Sequence, residues 1–435
     1  MQAHKMQAPG GRVLRTLATA LAAASACGAW ADEPSPYYIG VSQSLMHTSN
    51  VNNSTADPVG DYYSSTGLVG GFDQMISRQH LYANAHLNYN KYRHESRLDN
   101  TGYGVAAGWD WATIETLSGN ISASANRSLA SLDNTAGLQP NATGEKNLLK
   151  TEQISTSVLW GGTGPLGIQG NFAHSQVKYS AIESLASESS ANSAGVGLFY
   201  RLGPTLRVGT GVRFSRTETP YATLIDPLGS RTDPGNYNSN TATGRNVDLT
   251  ADWRLTEQTG LDARLSWTRQ SNSTAGSLDF SGLTGAVTAR YAPTAKLSFN
   301  ASASRDAGTN ASFFNVASTA PSTPSTTTPT TTTTVNGLSQ TSQTNNSYAL
   351  GAGYLATAKI NVSLGLSFNQ SKLIDALGQA SDNNTRVATL GVNWAVARNW
   401  QLGCSFARAT SNTTGSTESS YGVNTTGCTA QVTLR

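Results

Sequence analysis

From Leu206 to Ser215 the chain sets Leu206, Val208, Thr210, Val212 and Phe214 on one parity and Arg207, Gly209, Gly211, Arg213 and Ser215 on the other. Successive side chains of an extended strand point to opposite faces, so this period of two describes a ribbon with one apolar and one polar face. The alternation recurs at Tyr103/Val105/Ala107/Trp109/Trp111, Val247/Leu249/Ala251/Trp253/Leu255, Ile360/Val362/Leu364/Leu366/Phe368 and Leu390/Val392/Trp394/Val396. No stretch of comparable length has the i, i+3, i+4, i+7 spacing of an amphipathic helix. The fold class is therefore all-β.

Composition narrows the kind of β protein. Charged residues make up 13% of the chain and hydrophobic ones 38%. That charged share is about half that of an ordinary soluble domain, yet no apolar run approaches the roughly 18 residues of a membrane-spanning helix. About eighteen alternating segments follow one another, long enough to cross a bilayer at a tilt. Short connections near Gln74, Thr113, Gly164, Gly203, Glu257, Pro293, Thr357 and Arg398 alternate with long polar ones, notably 130–147, 217–244 and 306–345. Tight turns at one rim and long loops at the other predict a transmembrane antiparallel up-and-down β-barrel of about 18 strands.

The tryptophans beyond the first thirty residues, Trp109, Trp111, Trp160, Trp253, Trp267, Trp394 and Trp400, all fall on the apolar parity, most near a tight turn. An aromatic belt at one end of an apolar exterior is what a membrane interface selects. The opposite parity is Gly, Ser, Asn, Asp and Arg, a wet interior, and barrels of this size enclose an aqueous channel unless plugged. The segment 217–244, with Asp226, Pro227, Arg231, Asp233 and Pro234, is the candidate for an inward-folded loop, with a surface loop as the plainer reading. The segment 306–345, Thr-, Ser- and Pro-rich, is expected to be a low-complexity external loop.

Residues 1–31 read as a secretory signal peptide: Lys5, Arg12 and Arg15, an apolar stretch from Leu17 to Ala26, and Ala29-Trp30-Ala31 before Asp32. Cys27 also admits a lipoprotein reading, disfavoured by Ala24 where a lipobox has Leu. The barrel is expected to occupy 32–435. The leader's three cations account for the whole formal charge of +3, so the remainder is neutral and carries no signal for nucleic acid.

Charged residues on the polar parity are the candidate lumen groups. Hairpin pairing about the 256–260 turn sets Asp252 opposite Arg264 and Arg254 opposite Asp262, as structural cross-strand ion pairs. About the Gly203 turn, Arg201 falls opposite Arg207 with Arg213 further along. With Arg290 these form a candidate anion-attracting wall, the alternative being a solvated lumen without selectivity. Cys404 and Cys428 lie on the last two strands on the apolar parity, where a disulfide is expected if the register opposes them and two buried thiols if it does not. No catalytic, cofactor or metal constellation stands out; His80 and His86 share a face but are about 20 Å apart along a strand.

Three short stretches resemble the outer-membrane β-barrel porin family associated with exopolysaccharide-biosynthesis operons of Gram-negative bacteria. They are Tyr37-Tyr38-Ile39-Gly40-Val41 leading to Ser49-Asn50-Val51, Leu202-Gly203-Pro204-Thr205-Leu206, and the ending from Gly427-Cys428 to Leu434-Arg435. That ending lacks the terminal aromatic of general porins and is similar to this family. The resemblance implies an outer-membrane channel in exopolysaccharide export or surface assembly, with membrane lipid, the polysaccharide and envelope export machinery as partners, and no catalytic residues. The alternatives are a general diffusion porin and a non-conducting adhesive scaffold.

Overall fold

A computed structural model describes residues 35–113, 116–130, 146–161, 164–226, 233–273, 279–307, 342–374, 380–415 and 419–434. The signal peptide expected at 1–31, with Cys27 and the cleavage site at Ala31, lies outside these residues, as do Pro227, Arg231 and most of the low-complexity segment. The strands are β1 (Tyr37–Thr48), β2 (Asp61–Ile76), β3 (Gln79–Tyr92), β4 (Asn100–Ala112), β5 (Leu117–Leu129), β6 (Leu148–Trp160), β7 (Leu166–Tyr179), β8 (Ser189–Leu202) and β9 (Leu206–Leu224). The second half continues with β10 (Tyr237–Arg254), β11 (Thr259–Asn272), β12 (Phe280–Thr294), β13 (Leu297–Ala307), β14 (Ser342–Thr357), β15 (Ile360–Ile374), β16 (Ala380–Ala397), β17 (Trp400–Gly415) and β18 (Ser419–Leu434).

Each strand pairs antiparallel with the next, and β1 pairs with β18 from Ile39 opposite Leu434 to Thr48 opposite Thr425. The sheet is thus a closed 18-stranded barrel with no free edge to template aggregation. Register puts like with like on the outside: Leu68 faces Leu87, Trp109 faces Ile121, Val196 faces Val212, Leu249 faces Leu265 and Leu350 faces Leu366. These outward apolar side chains are exposed. An apolar surface that runs round the molecule in this way needs an apolar surrounding.

The short connections follow the even-numbered strands, and several share one device. After β12, Thr294 Oγ1 accepts from Lys296 N (3.3 Å) and Leu297 N (3.1 Å). After β14, Thr357 Oγ1 accepts from Lys359 N (3.1 Å) and Ile360 N (3.0 Å). Just inside each turn the register steps by one residue, between Tyr291 and Thr294 and between Leu355 and Thr357. The hydroxyl satisfies the turn amides while one extra residue strengthens the local twist, as in a β-bulge.

The same bulge corrects an expected pairing. Thr256 and Thr259 exchange backbone hydrogen bonds of 3.2 and 3.3 Å, whereas Arg254 faces Gly260, leaving Leu255 as the extra residue. Asp252 therefore stands opposite Asp262, and Arg264 opposite Thr250, so neither Asp252–Arg264 nor Arg254–Asp262 forms. The described parts of 217–244 are corrected as well. Thr217 to Leu224 and Tyr237 to Ala242 pair as prolongations of β9 and β10, a ribbon rising from the long-loop rim. Cys404 and Cys428 are direct register partners and form a disulfide, with Cα atoms 4.1 Å apart.

Candidate functional site

The inner wall is built from the polar parity of every strand. On β9 to β13 most of its charges are tied in pairs. Arg207 donates to Asp252 (2.8 Å), Arg290 to Asp262 (2.5 Å), and Arg213 to both oxygens of Asp248 (Nε to Oδ2 3.1 Å, Nη2 to Oδ1 3.3 Å). Arg264 reaches two strands along the wall to Asp306 at 2.8 Å and also donates to Ser266 Oγ. Arg213–Asp248 and Arg264–Asp306 are buried, while Arg207–Asp252 is about one-third exposed on each side.

Of the arginines expected to line a cationic wall, Arg207, Arg213 and Arg290 are each matched by an aspartate. The row across β8 to β11 runs Arg201, Arg207, Asp252, Asp262, and Arg290 on β12, which faces Gly260, reaches Asp262 diagonally. Arg201 faces Arg207 in register, as the sequence implied. Both guanidinium groups lie over the ring of Phe199, at 5.8 and 5.3 Å from its centroid. Cation–π attraction and the aspartate partner offset a repulsion that two opposed cations alone would suffer.

Elsewhere the wall is mostly uncharged and hydrogen-bonded across strands. Thr268 Oγ1 donates to Asn246 Oδ1 (2.6 Å) and lies 2.6 Å from Thr284 Oγ1. Ser347 donates to Asn369, Ser411 and Thr413 to Asn383, and Asn88 to Asn90, which in turn donates to Asn100. Near the tight-turn rim His80 sits 2.9 Å from Asp73 and 3.3 Å from Asp110, and Asn120 donates to Asp110. A cavity of about 420 Å³ there is lined in part by His80, Asp110, Ser157, Gln169 and Arg207. His86 lies on the same strand six residues on, opposite Val69 and Gly104, so the two histidines share no ligand.

Inward-facing aromatic rings escaped the sequence reading. Tyr38, Tyr82, His86 and Phe199 each face a glycine in register, Gly71, Gly108, Gly104 and Gly167. A Cβ at any of these glycines would collide with the facing ring. The rings therefore lie along the wall instead of projecting into the lumen, and glycine is what permits it. An aromatic on the polar parity paired in register with a glycine is the signal that could have found them.

No known family model and no curated protein matches the sequence. The chain is similar in structure to the FrpB iron transporter from Neisseria meningitidis, with a TM-score of 0.47 and 7% identity over 92% of this chain and 83% of that one. It is similar also to OccK2 (OpdF) from Pseudomonas aeruginosa, with a TM-score of 0.46 and 9% identity over 92% and 98% of the two chains. The siderophore receptor PiuA from Acinetobacter baumannii gives 0.40 and 10% over 94% and 82%.

Proposed function

We propose that the barrel spans the outer membrane of a Gram-negative envelope as a passive channel, and that its cargo is a polysaccharide in the course of export or surface assembly. The observation that carries the reading is the division of the wall. Its outside is apolar and exposed, while its inside is a lattice of amides, hydroxyls and mutually neutralised charges. A membrane supplies the apolar surrounding such an exterior needs, and closure satisfies every strand's hydrogen bonds within it. The tight-turn rim bears the outward rings Trp109, Trp160, Trp253 and Trp394, as an interfacial belt requires.

A lumen with four of its arginines held by aspartates offers an ion less attraction than its arginine count suggests. It does offer many neutral donors and acceptors, and flat rings at Tyr38 and Tyr82. A sugar chain presents hydroxyls at its edges and C–H faces above and below, and so suits such a wall. The family resemblance of the sequence points to the same cargo, with the polymer driven from the inside.

The test has two arms. Purified protein in a planar bilayer is expected to give stepwise conductance, and its absence would favour a non-conducting scaffold. Deletion is expected to lower extracellular polysaccharide while leaving uptake of small solutes unchanged. The reverse pattern would make the chain a general diffusion porin.

A further inference from the structure

Among the described residues the outer face carries its charges toward the long-loop rim, where Lys372 faces Asp382 but three other register pairs set cation against cation. Arg127 faces Lys150, Lys150 faces Lys178, and Arg245 faces Arg269, all on outward parity. Lys150 also has Glu152 at 2.8 Å, but Arg245 and Arg269 enter no ion pair among the described residues. Like charges directly opposite destabilise a sheet, and cations on a lipid-facing wall are tolerated only near an interface. Their placement on one rim is explained if the leaflet on that side supplies the counter-charge.

One place on this rim has the shape of a binding site. On the outside of β14 to β17, Tyr348, Leu350, Leu366 and Phe368 form the apolar part of a groove of about 560 Å³, which Arg386 and Arg408 also line. Tyr348 and Phe368 stack with centroids 6.1 Å apart, and the Arg386 guanidinium lies 5.5 Å from the Phe368 centroid. Arg386 faces Thr410 and Arg408 faces Ala388, so the two arginines sit diagonally on neighbouring strands with small partners between them. Both are exposed, and neither enters an ion pair among the described residues.

We infer that this groove is a binding site for a phosphate-bearing lipid of the leaflet on the long-loop side. Acyl chain lies against Tyr348, Leu350, Leu366 and Phe368, and phosphate is held by Arg386 and Arg408. The inference rests on the membrane reading above. The chemistry is direct: guanidinium forks match phosphate oxygens in geometry and charge, and an apolar floor contiguous with the membrane-facing belt accepts the chain at no cost in exposed apolar surface. A zwitterionic lipid would leave one arginine uncompensated.

The test uses the full chain, delipidated in detergent and examined by native mass spectrometry with an acylated, bisphosphorylated diglucosamine lipid and with the same lipid after dephosphorylation. The wild type is expected to retain the phosphorylated lipid, and R386Q with R408Q to weaken retention at least about tenfold, the loss of two charge-assisted contacts. The lumen variant R201Q is expected to retain it as the wild type does. Equal retention of the dephosphorylated lipid, or retention unchanged in the double variant, overturns the site. A preparation that conducts in a bilayer while showing either result refutes the lipid site alone. A chain that never inserts into vesicles removes the ground of both readings.

Discussion

Replacing Asp248 by Ala would leave the Arg213 guanidinium within the wall without its carboxylate. Arg213 makes two hydrogen bonds to Asp248, at 3.1 and 3.3 Å, and the side chains are 3% and 6% exposed. Breaking a buried pair by removing one partner costs about 3–5 kcal/mol, because the surviving charge keeps its desolvation penalty. Asp252 and Arg207, on the same two strands, are 36% and 35% exposed and only 2.8 Å apart. Water screens that pair, so Asp252→Ala is expected to cost no more than about 1 kcal/mol. The two substitutions remove the same chemical group from the same hairpin and differ chiefly in access to water. The assay is denaturant unfolding of the barrel in lipid vesicles, followed by tryptophan fluorescence, with Trp253 on β10 as a local reporter. Joint replacement of Arg213 by Met and Asp248 by Leu is expected to recover most of the loss, since an apolar pair of similar volume has no charge to desolvate. Equal losses for Asp248→Ala and Asp252→Ala would show that water reaches both pairs alike and would refute the reasoning.

Three further outcomes follow from the geometry. Reducing the Cys404–Cys428 bond, which closes a separation of 24 residues, is expected to lower stability by about 3 kcal/mol in the chain-entropy model, read as a shift of the unfolding midpoint with and without reductant. Asp252→Asn uncovers Arg207 beside Arg201 and should move the reversal potential in a salt gradient toward anion selectivity, while Arg201→Gln moves it the other way; both shifts should shrink at high salt, and unchanged potentials would count against a lumen lined by these residues. Gly108→Ala drives a Cβ into the Tyr82 ring and should cost about 1–3 kcal/mol as overpacking, with Tyr82→Ala in the same chain restoring stability; additive losses would rule out the ring-on-glycine contact.

Strand identity was legible because an apolar outside and a polar inside imprint a period of two wherever both surroundings are present. Where both faces carry polar residues the imprint disappears. Arg216, Glu218 and Pro220 lie outward on β9 and Thr217 and Thr219 inward, so the upper ribbon read as loop although it is strand. Register was harder to read, because the Thr256–Thr259 turn is one residue shorter than expected and Leu255 is bulged, which together move every later partner by two residues without altering the alternation. The ion pairs went astray for that reason: Asp252 found Arg207 on the other neighbouring strand, and Arg264 found Asp306, which lies two strands away and which no hairpin arithmetic connects to it. The Cys404 and Cys428 pairing was within reach because both lie on the last hairpin and on one parity. The repeat Thr294-Ala295-Lys296-Leu297 and Thr357-Ala358-Lys359-Ile360 was a usable signal for bulged turns.

Strand β18 is held by a covalent bond on one side and must meet β1 on the other. A slip of one residue between β17 and β18 would turn every outward side chain of β18 inward, and only the native alignment brings Cys404 against Cys428. The bond therefore locks the alignment that β18 presents at the seam. A hairpin that has oxidised has already declared its alignment, and Leu45 of β1, which faces Cys428, meets a partner strand that can no longer slide. The seam of the cylinder is thus closed on a strand whose alignment a covalent bond holds fixed.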